Sequence, residues 1–425
     1  MNLTDRDRNT IWHPYTQSGI FPNSIGIVSG KGALLFDENG KTYIDAISSW
    51  WVNLHGHSNP VINEAVKSQI DKLEQVIFAG FTHEPAVELS ERLLKLQPHF
   101  GKVFFSDNGS TAVEVALKAS VQFWKNKRIT SKKRILAFEH SYHGDTFGAM
   151  SLSGRSLFTA HYNEYLFDVE HIALPASKDD ETYFEQVERI VSEGDVAAFI
   201  YEPLVLGSGG MLMYEESALL RLLKLLKAHD VLLIADEVMT GFGRTGTLFA
   251  SDRMEIKPDM MCLSKGLTGG YLPMGLTMFS EDIYQTFKSA DFSKTLFHGH
   301  SFTGNLLSCA AAVASLGLTT SDECAASRNF ISEKHRQFCE KLKNFECAEN
   351  MRTCGTILAF DLKVEDAGYA SAVRKKILNF FLANGVLIRP LGNVIYLLPP
   401  YCISPEQLQF CYDKILDFLN TFESR

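Results

Sequence analysis

Apolar residues recur at helical spacing over Asn63 to Leu73, Pro85 to Leu96 and Ser110 to Trp124. Between them stand short apolar runs, Lys102 to Phe105 and Arg134 to Phe138, with the length and the bounded ends of strands. The alternation continues through a strand at Ala197 to Tyr201, a helix carrying Leu219, Leu222, Leu223 and Leu226, a strand at Val231 to Ala235 and a short one at Met260 to Leu263. Strands that are apolar throughout and separated by helices predict a parallel sheet covered on both faces. The ends of the chain read differently. Short strands at Ala33 to Phe36 and Thr42 to Asp45 flank the turn Glu38-Asn39-Gly40. The last hundred or so residues read as a helix, a strand Ile357 to Asp361, a helix from Ala370, strands Val386 to Arg389 and Val394 to Leu398, and a final helix. The expectation is an α/β protein: a large domain over 49–321 on a mainly parallel sheet, and a smaller α+β domain assembled from 1–48 and 322–425. No period of 20 to 50 residues repeats, so solenoids and propellers fall away.

With 425 residues, 45% of them hydrophobic, the chain can bury sizeable cores. A formal net charge of −9 without any lysine or arginine block argues against nucleic acid or an anionic membrane as partner and leaves small molecules or protein. No apolar run approaches the roughly 18 residues a membrane span needs. Met1 to Thr10 lacks the apolar stretch of a secretory signal, so a cytoplasmic protein is expected. The eight cysteines contain no CxxC pair, which favours free thiols over disulfides or zinc, and no metal is expected.

The chemistry concentrates at predicted strand ends. The strand Val231-Leu-Leu-Ile-Ala-Asp236-Glu237 is apolar until two carboxylates arrive together, and the carboxyl end of such a strand faces the ligand crevice of an open α/β sheet. The next strand, Met260-Met-Cys-Leu-Ser-Lys265-Gly266, ends in a lysine at the same edge. Taken singly, the acid is a loop cap and the lysine a solvated charge. Together they are what a pyridoxal phosphate enzyme requires: an amine to bond the cofactor aldehyde and an anion to keep its ring nitrogen protonated. A phosphate cradle then fits Phe105-Ser106-Asp107-Asn108-Gly109-Ser110-Thr111, where a strand gives way to a helix N-terminus. A second Gly-rich loop, His298-Gly299-His300-Ser301-Phe302-Thr303-Gly304-Asn305, could add donors to the same anion. Gly241-Phe-Gly-Arg244-Thr-Gly246 matches a dinucleotide fingerprint, but no long amphipathic helix and no strand-end acid follow it. Gly40-Lys41-Thr42 has Leu35 where a P-loop needs glycine. Aromatic residues cluster in Trp12-His13-Pro14-Tyr15, Ser48-Ser49-Trp50-Trp51 and Ser141-Tyr142-His143-Gly144-Asp145; Tyr142 leaves its strand where it could face a flat ring, whereas core packing is the default for the two tryptophans.

Leu232-Leu-Ile-Ala-Asp236-Glu237-Val238, Gly241-Phe-Gly-Arg244-Thr-Gly246, Ser264-Lys265-Gly266 and Gly269-Gly270 resemble the signature of the class III (fold type I) aminotransferases. Within that class Trp12-His13-Pro14-Tyr15-Thr16, Ser48-Ser49-Trp50-Trp51, Tyr142-His143-Gly144-Asp145-Thr146 and Ile388-Arg389-Pro390 are similar to the branch that aminates 8-amino-7-oxononanoate in biotin synthesis, normally with S-adenosylmethionine as donor. The resemblance implies pyridoxal 5′-phosphate as cofactor and a homodimer with shared active sites. It implies Lys265, Asp236 and Tyr15 as catalytic residues, with Lys265 bonding the cofactor and moving the proton and Asp236 pairing with the ring nitrogen. Gly109, Ser110 and, across the dimer, Ser301 beside His300 would hold the phosphate, and Tyr142 would stack on the ring. Tyr15, Trp50, Tyr142, Lys265, Gly299, Arg389 and Tyr396 would meet substrate.

Relatives that use ordinary keto acids carry an arginine in the C-terminal strand, often paired with the glutamate matching Glu202. Here Asn393-Val-Ile-Tyr396 puts a tyrosine there, so Arg389 is expected to bind a distal carboxylate instead. Lysine-using relatives share the His298-Gly-His-Ser-type loop and the Gly269-Gly-Tyr-Leu-Pro273 run, so the donor is open between S-adenosylmethionine and lysine. An ω-amino-acid or diamine transaminase of the same fold, a non-catalytic cofactor-binding scaffold and a nicotinamide-dependent oxidoreductase are the competing readings.

Overall fold

The structure, a computed structural model, describes residues 2–21, 23–365 and 367–423. Its centre is a seven-stranded sheet of β1 (Phe100–Ser106), β2 (Arg134–Phe138), β3 (Glu170–Ile172), β4 (Val196–Tyr201), β5 (Leu232–Asp236), β6 (Met260–Leu263) and β7 (Gly275–Ser280), in spatial order β1-β7-β6-β5-β4-β2-β3. From β6 across to β3 every pairing is parallel. β7 runs antiparallel to both its neighbours, β6 and β1. The sequence pattern misses this reversal, and its cause is the connection: residues 264–274 hold only a short 3₁₀ turn, too little chain for the helical crossover a parallel return needs.

Side chains of the central strands alternate between the two faces. Leu233 and Ala235 of β5 and Met261 and Leu263 of β6 join one core with the helices Glu181–Ser192 and Glu216–Ala228. Leu232, Ile234, Met260 and Cys262 join the other with α1, Gly109–Asn126. The gapless apolar runs seen in the sequence thus reflect burial on both faces. Elsewhere boundaries move by a few residues. The helix expected from Asn63 spans Pro60–Ile70, because Asn59 caps it and Pro60 has the φ of a first helical residue. The helix expected from Ala370 starts at Ala372 behind the cap Ser371, and the strand expected over Val386 to Arg389 covers only Val386–Leu387.

The chain ends meet. Ile27–Lys31, Leu34–Asp37, Thr42–Asp45 and Val386–Leu387 form a four-stranded sheet in which Val386 pairs with Ile44. Ala348–Cys354, Ile357–Leu362 and Val394–Leu397 form a second, antiparallel one. The turn between the second and third N-terminal strands is built as its residues suggest: Asp37 accepts the N–H groups of Asn39 and Lys41, and Gly40 supplies a φ of 81°. No helix among the described residues is long and apolar enough to cross a membrane.

Candidate active site

β5 ends on Asp236, and the parallel register sets Asp236 opposite Cys262, so Lys265 comes just beyond the end of β6 at the same edge. Lys265 itself sits at φ 43°, a left-handed conformation that surrounding structure must enforce on a residue with a side chain. The next position has no room for one, since a Cβ on Gly266 would come within 2.9 Å of Leu54. Lys265 Nζ lies 4.6 Å from the centre of the Trp51 ring. Burial pushes its ammonium pKa below the usual lysine value, opposed by Asp236 and Glu202, so the free amine needed to bond a carbonyl is more accessible than in an exposed lysine.

Asp236 is buried, and its Oδ2 stands 2.7 Å from His143 Nδ1 while Oδ1 accepts the Val238 N–H. His143 Nε2 is buried without a hydrogen-bond partner. Glu202, one residue past β4, accepts N–H groups from Tyr142 and Gly207, each at 2.9 Å. It therefore ties the loop carrying Tyr142 and His143 to the sheet. Its burial raises its pKa to about 7, with the His143 side chain opposing and Asp236 adding to the rise.

That shift has a measurable sign. A carboxyl that titrates near 4.5 when unfolded and near 7 when folded keeps its proton longer in the native state, so stability falls as pH rises through that interval. Glu202→Gln, a neutral isostere, should remove this contribution at the constant cost of one acceptor. The melting temperature of wild type relative to the variant should drop between about pH 5 and about pH 8; a difference independent of pH would refute the assignment.

At the end of β1, Asn108 caps α1: its side chain accepts the Thr111 N–H at 3.0 Å, and Thr111 Oγ1 accepts the Asn108 N–H at 3.1 Å. The first N–H groups of a helix, here Gly109 and Ser110, have no partner within it and carry the positive end of its dipole. A Cβ at Gly109 would come within 2.8 Å of Val238, so only glycine lets the backbone lie this close to the β5 loop. Ser110 Oγ accepts the Asp145 N–H at 3.2 Å, and Gly144 lies against Ser110 at φ 135°. Gly109, Ser110, Tyr142, His143, Glu202, Asp236 and Lys265 line one cavity of about 620 Å³.

A second chamber of about 300 Å³ adjoins it, sharing Trp51, Tyr142, Asp145 and Lys265. Tyr15, Trp50, Arg389 and Tyr396 also line it. The Tyr15 hydroxyl donates to Asp145 at 2.6 Å and lies 3.3 Å from that of Tyr142; burial and the neighbouring carboxylate raise its pKa. Arg389 lies over the Trp50 ring at 4.7 Å. The Tyr396 hydroxyl accepts the Trp51 indole N–H at 3.0 Å, so this tyrosine orients Trp51 as well as lining the chamber. Ser48, Ser49 and Trp51 all have positive φ. The strain is held by Asp45, which accepts the Ser49 N–H and hydroxyl, and by Ser48 Oγ donating to the Leu398 carbonyl. Core packing, the default for both tryptophans, holds for Trp51, which is buried in the main core and also faces Lys265, and fails for Trp50, which is 37% exposed at the chamber.

Nine of the residues expected from sequence thus come together: all but Gly299, His300 and Ser301, which do not line either cavity of their own chain. Instead the Ser301 carbonyl accepts from Gln75 Nε2 at 3.1 Å, and His300 Nδ1 accepts the Phe302 N–H. Reading the sequence missed His143, Asp145 and Glu202 as site residues; the signal available for the last was its place directly after an apolar strand, the same signal that exposed Asp236. The Gly241–Gly246 run cradles no dinucleotide. Its Arg244 is buried and donates to the Pro399 and Trp51 carbonyls, and no helix starts there. Among the described residues no cluster of three His, Cys, Asp or Glu is placed to hold a metal.

Residues 17–419 match the family model described as aminotransferase class-III. The chain is 48% identical over 419 residues to an adenosylmethionine-8-amino-7-oxononanoate aminotransferase of Synechococcus elongatus, covering 96% of this chain and 98% of that one. It is 38% identical over 434 residues to the enzyme of that name from Helicobacter pylori, covering 99% and 98%. The crystal structure of the Methanocaldococcus jannaschii enzyme of the same name superposes with a TM-score of 0.93 at 33% identity, covering 98% of both chains. An omega transaminase from Pseudomonas jessenii, in complex with PMP, gives 0.93 at 25% identity and 99% coverage of both. The chain belongs to the class-III aminotransferases, enzymes that use pyridoxal 5′-phosphate.

The residues present fit that cofactor. A buried lysine amine, a buried carboxylate across from it and two unclaimed helix N–H groups beside a glycine that could not carry a side chain supply the three attachments it needs.

Proposed function

We propose that this enzyme transfers the amino group of S-adenosylmethionine to 8-amino-7-oxononanoate, giving 7,8-diaminononanoate in biotin synthesis. The observation that carries the reading is near-full-length identity of up to 48% to relatives bearing that activity in their names. The chamber beside Lys265 supports it, since aromatic walls lead to a single arginine, Arg389, as a long keto acid with one distal carboxylate requires.

In this reading Lys265 bonds the cofactor and carries the proton removed from the donor, and Asp236, held by His143, pairs with the ring nitrogen. When bound, the cofactor supplies an aldehyde to take up the amino group and a ring able to hold the electrons freed with the proton. Gly109 and Ser110 hold its phosphate and Tyr142 covers its ring. Tyr15, positioned by Asp145, and Trp50 orient the substrate. The enzyme acts as a homodimer in which Gly299, His300 and Ser301 complete the neighbouring site. This is supported by the exclusion of that loop from its own cavity and by the exposure of Phe297 and Phe302 beside it, 60% and 63%. We place it in the cytoplasm, a reducing compartment consistent with the absence of disulfides among the described residues.

Arg389→Ala should raise the acceptor KM at least about tenfold and leave the donor KM nearly unchanged, since only the acceptor brings a carboxylate to that end of the chamber. Steady-state kinetics with each substrate varied in turn check this, and equal effects on both would defeat the assignment.

A further inference from the structure

A third cavity, of about 600 Å³, lies beyond Tyr142 and shares Tyr142, Asp145, Phe158, Ser208, Tyr369 and Leu391 with the substrate chamber. The two spaces are neighbours across an aromatic partition. Phe158 and Tyr369 meet edge to face at 4.7 Å, and Phe158 also meets the ring of Tyr15 at 5.6 Å. Arg374 braces the partition from outside, with its guanidinium 4.4 Å from the Tyr369 ring centre and a hydrogen bond to the Tyr369 hydroxyl at 3.2 Å.

The chamber behind the partition differs in chemistry from the one in front. Small hydroxyl residues, Ser141, Ser153, Ser156 and Thr159, line it, and among the described residues no lysine or arginine does. Ser141 Oγ lies buried in its wall without a hydrogen-bond partner. Asp145 is the one carboxylate among its described lining residues, and it borders all three cavities. A molecule reaching from Lys265 into this chamber would therefore pass a negative charge midway and end among hydroxyl groups and aromatic rings. That sequence suits an amino acid joined through a cationic centre to a neutral, hydroxyl-bearing, flat group. It disfavours a carboxylate or phosphate tail, which has its cation at Arg389 in the other chamber.

We propose that the hydroxyl-lined chamber behind Phe158 and Tyr369 is a nucleoside subsite that takes the adenosine end of S-adenosylmethionine, with Asp145 facing the sulfonium. The proposal rests on the donor reading given above and deepens it. It assigns donor and acceptor to different chambers that diverge from the same lysine, so that each can be obstructed alone.

Two substitutions from separate walls test it. Ala367 and Leu157 are exposed residues that line the side chamber and not the substrate chamber, so Ala367→Trp and Leu157→Trp should fill it without disturbing the fold. With each holoenzyme the two half-reactions are followed separately by the cofactor's visible absorbance, and adenosine is tested as an inhibitor of the first. The expected result is a rise of at least about tenfold in the half-saturating concentration of S-adenosylmethionine, loss of adenosine inhibition, and an 8-amino-7-oxononanoate half-reaction within about twofold of wild type. Unchanged donor saturation in both variants, or an equal loss in both half-reactions, would overturn the subsite and leave the proposed function standing. A wild-type enzyme that does not react with S-adenosylmethionine at all would overturn the donor reading and the subsite together.

Discussion

Replacing Lys265 by alanine is expected to lower amino transfer by about 10⁴-fold or more while the folded protein still binds the cofactor. Loss of this one amine removes both the covalent attachment and the group that moves the proton, two functions no neighbour can assume. The closest aromatic wall, Trp51, has no basic atom, and Asp236 and Glu202 are acids. Stability should hardly suffer, because Lys265 makes no ion pair at the distances seen and its burial works against its charge. Borohydride treatment followed by mass measurement separates the two effects: the wild-type chain gains the mass of the cofactor and the variant does not. Partial restoration of the rate by added methylamine would show that the deficit is chemical. A variant that retained more than about a hundredth of the wild-type rate would remove Lys265 from the reaction.

Asp236→Asn is expected to reduce kcat by about 10²- to 10³-fold with the cofactor still held at its phosphate and by Lys265. The buried carboxylate is the anion that keeps a pyridine nitrogen protonated, and an amide of the same shape cannot do so. The His143 contact at 2.7 Å makes the substitution informative, since asparagine can keep that hydrogen bond through its amide oxygen while losing the charge and the Val238 N–H bond that Oδ1 accepts. Single-turnover rates with donor alone should carry the whole loss. A loss confined to cofactor affinity would mean that Asp236 anchors the ring and does not activate it.

The order of helices and apolar runs was legible because strands buried on both faces leave no polar gaps, as β4 and β5 show. The antiparallel β7 was not legible from its own residues: Gly275–Ser280 reads like any short apolar run, and only the length of residues 264–274 betrays its direction. The edge strand Ala348–Cys354 was missed because its outer residues are exposed and polar. In the site, Asp236 and Lys265 stood out as a pair, an acid and an amine at neighbouring strand ends, where either alone has an ordinary structural reading. Glu202 also follows an apolar strand, but what it does, tying the Tyr142 loop to the sheet, depends on N–H groups that only folding brings to it. His143 and Asp145 could not be found by pattern, for their meaning depends on a loop folding back over two distant strands to reach Asp236 and Tyr15. The Gly241–Gly246 motif shows the opposite error: its glycines serve a packed turn around the buried Arg244.

The most direct test of the central claim is a single turnover that does not depend on which donor charges the enzyme. Holoenzyme converted to its amine form and freed of donor is mixed with stoichiometric 8-amino-7-oxononanoate, and the product is identified by mass spectrometry while the visible band is followed. The account requires one 7,8-diaminononanoate per active site with return of the band. An acceptor recovered unchanged, while a simple keto acid or aldehyde restores the band, would make the enzyme a transaminase of other substrates.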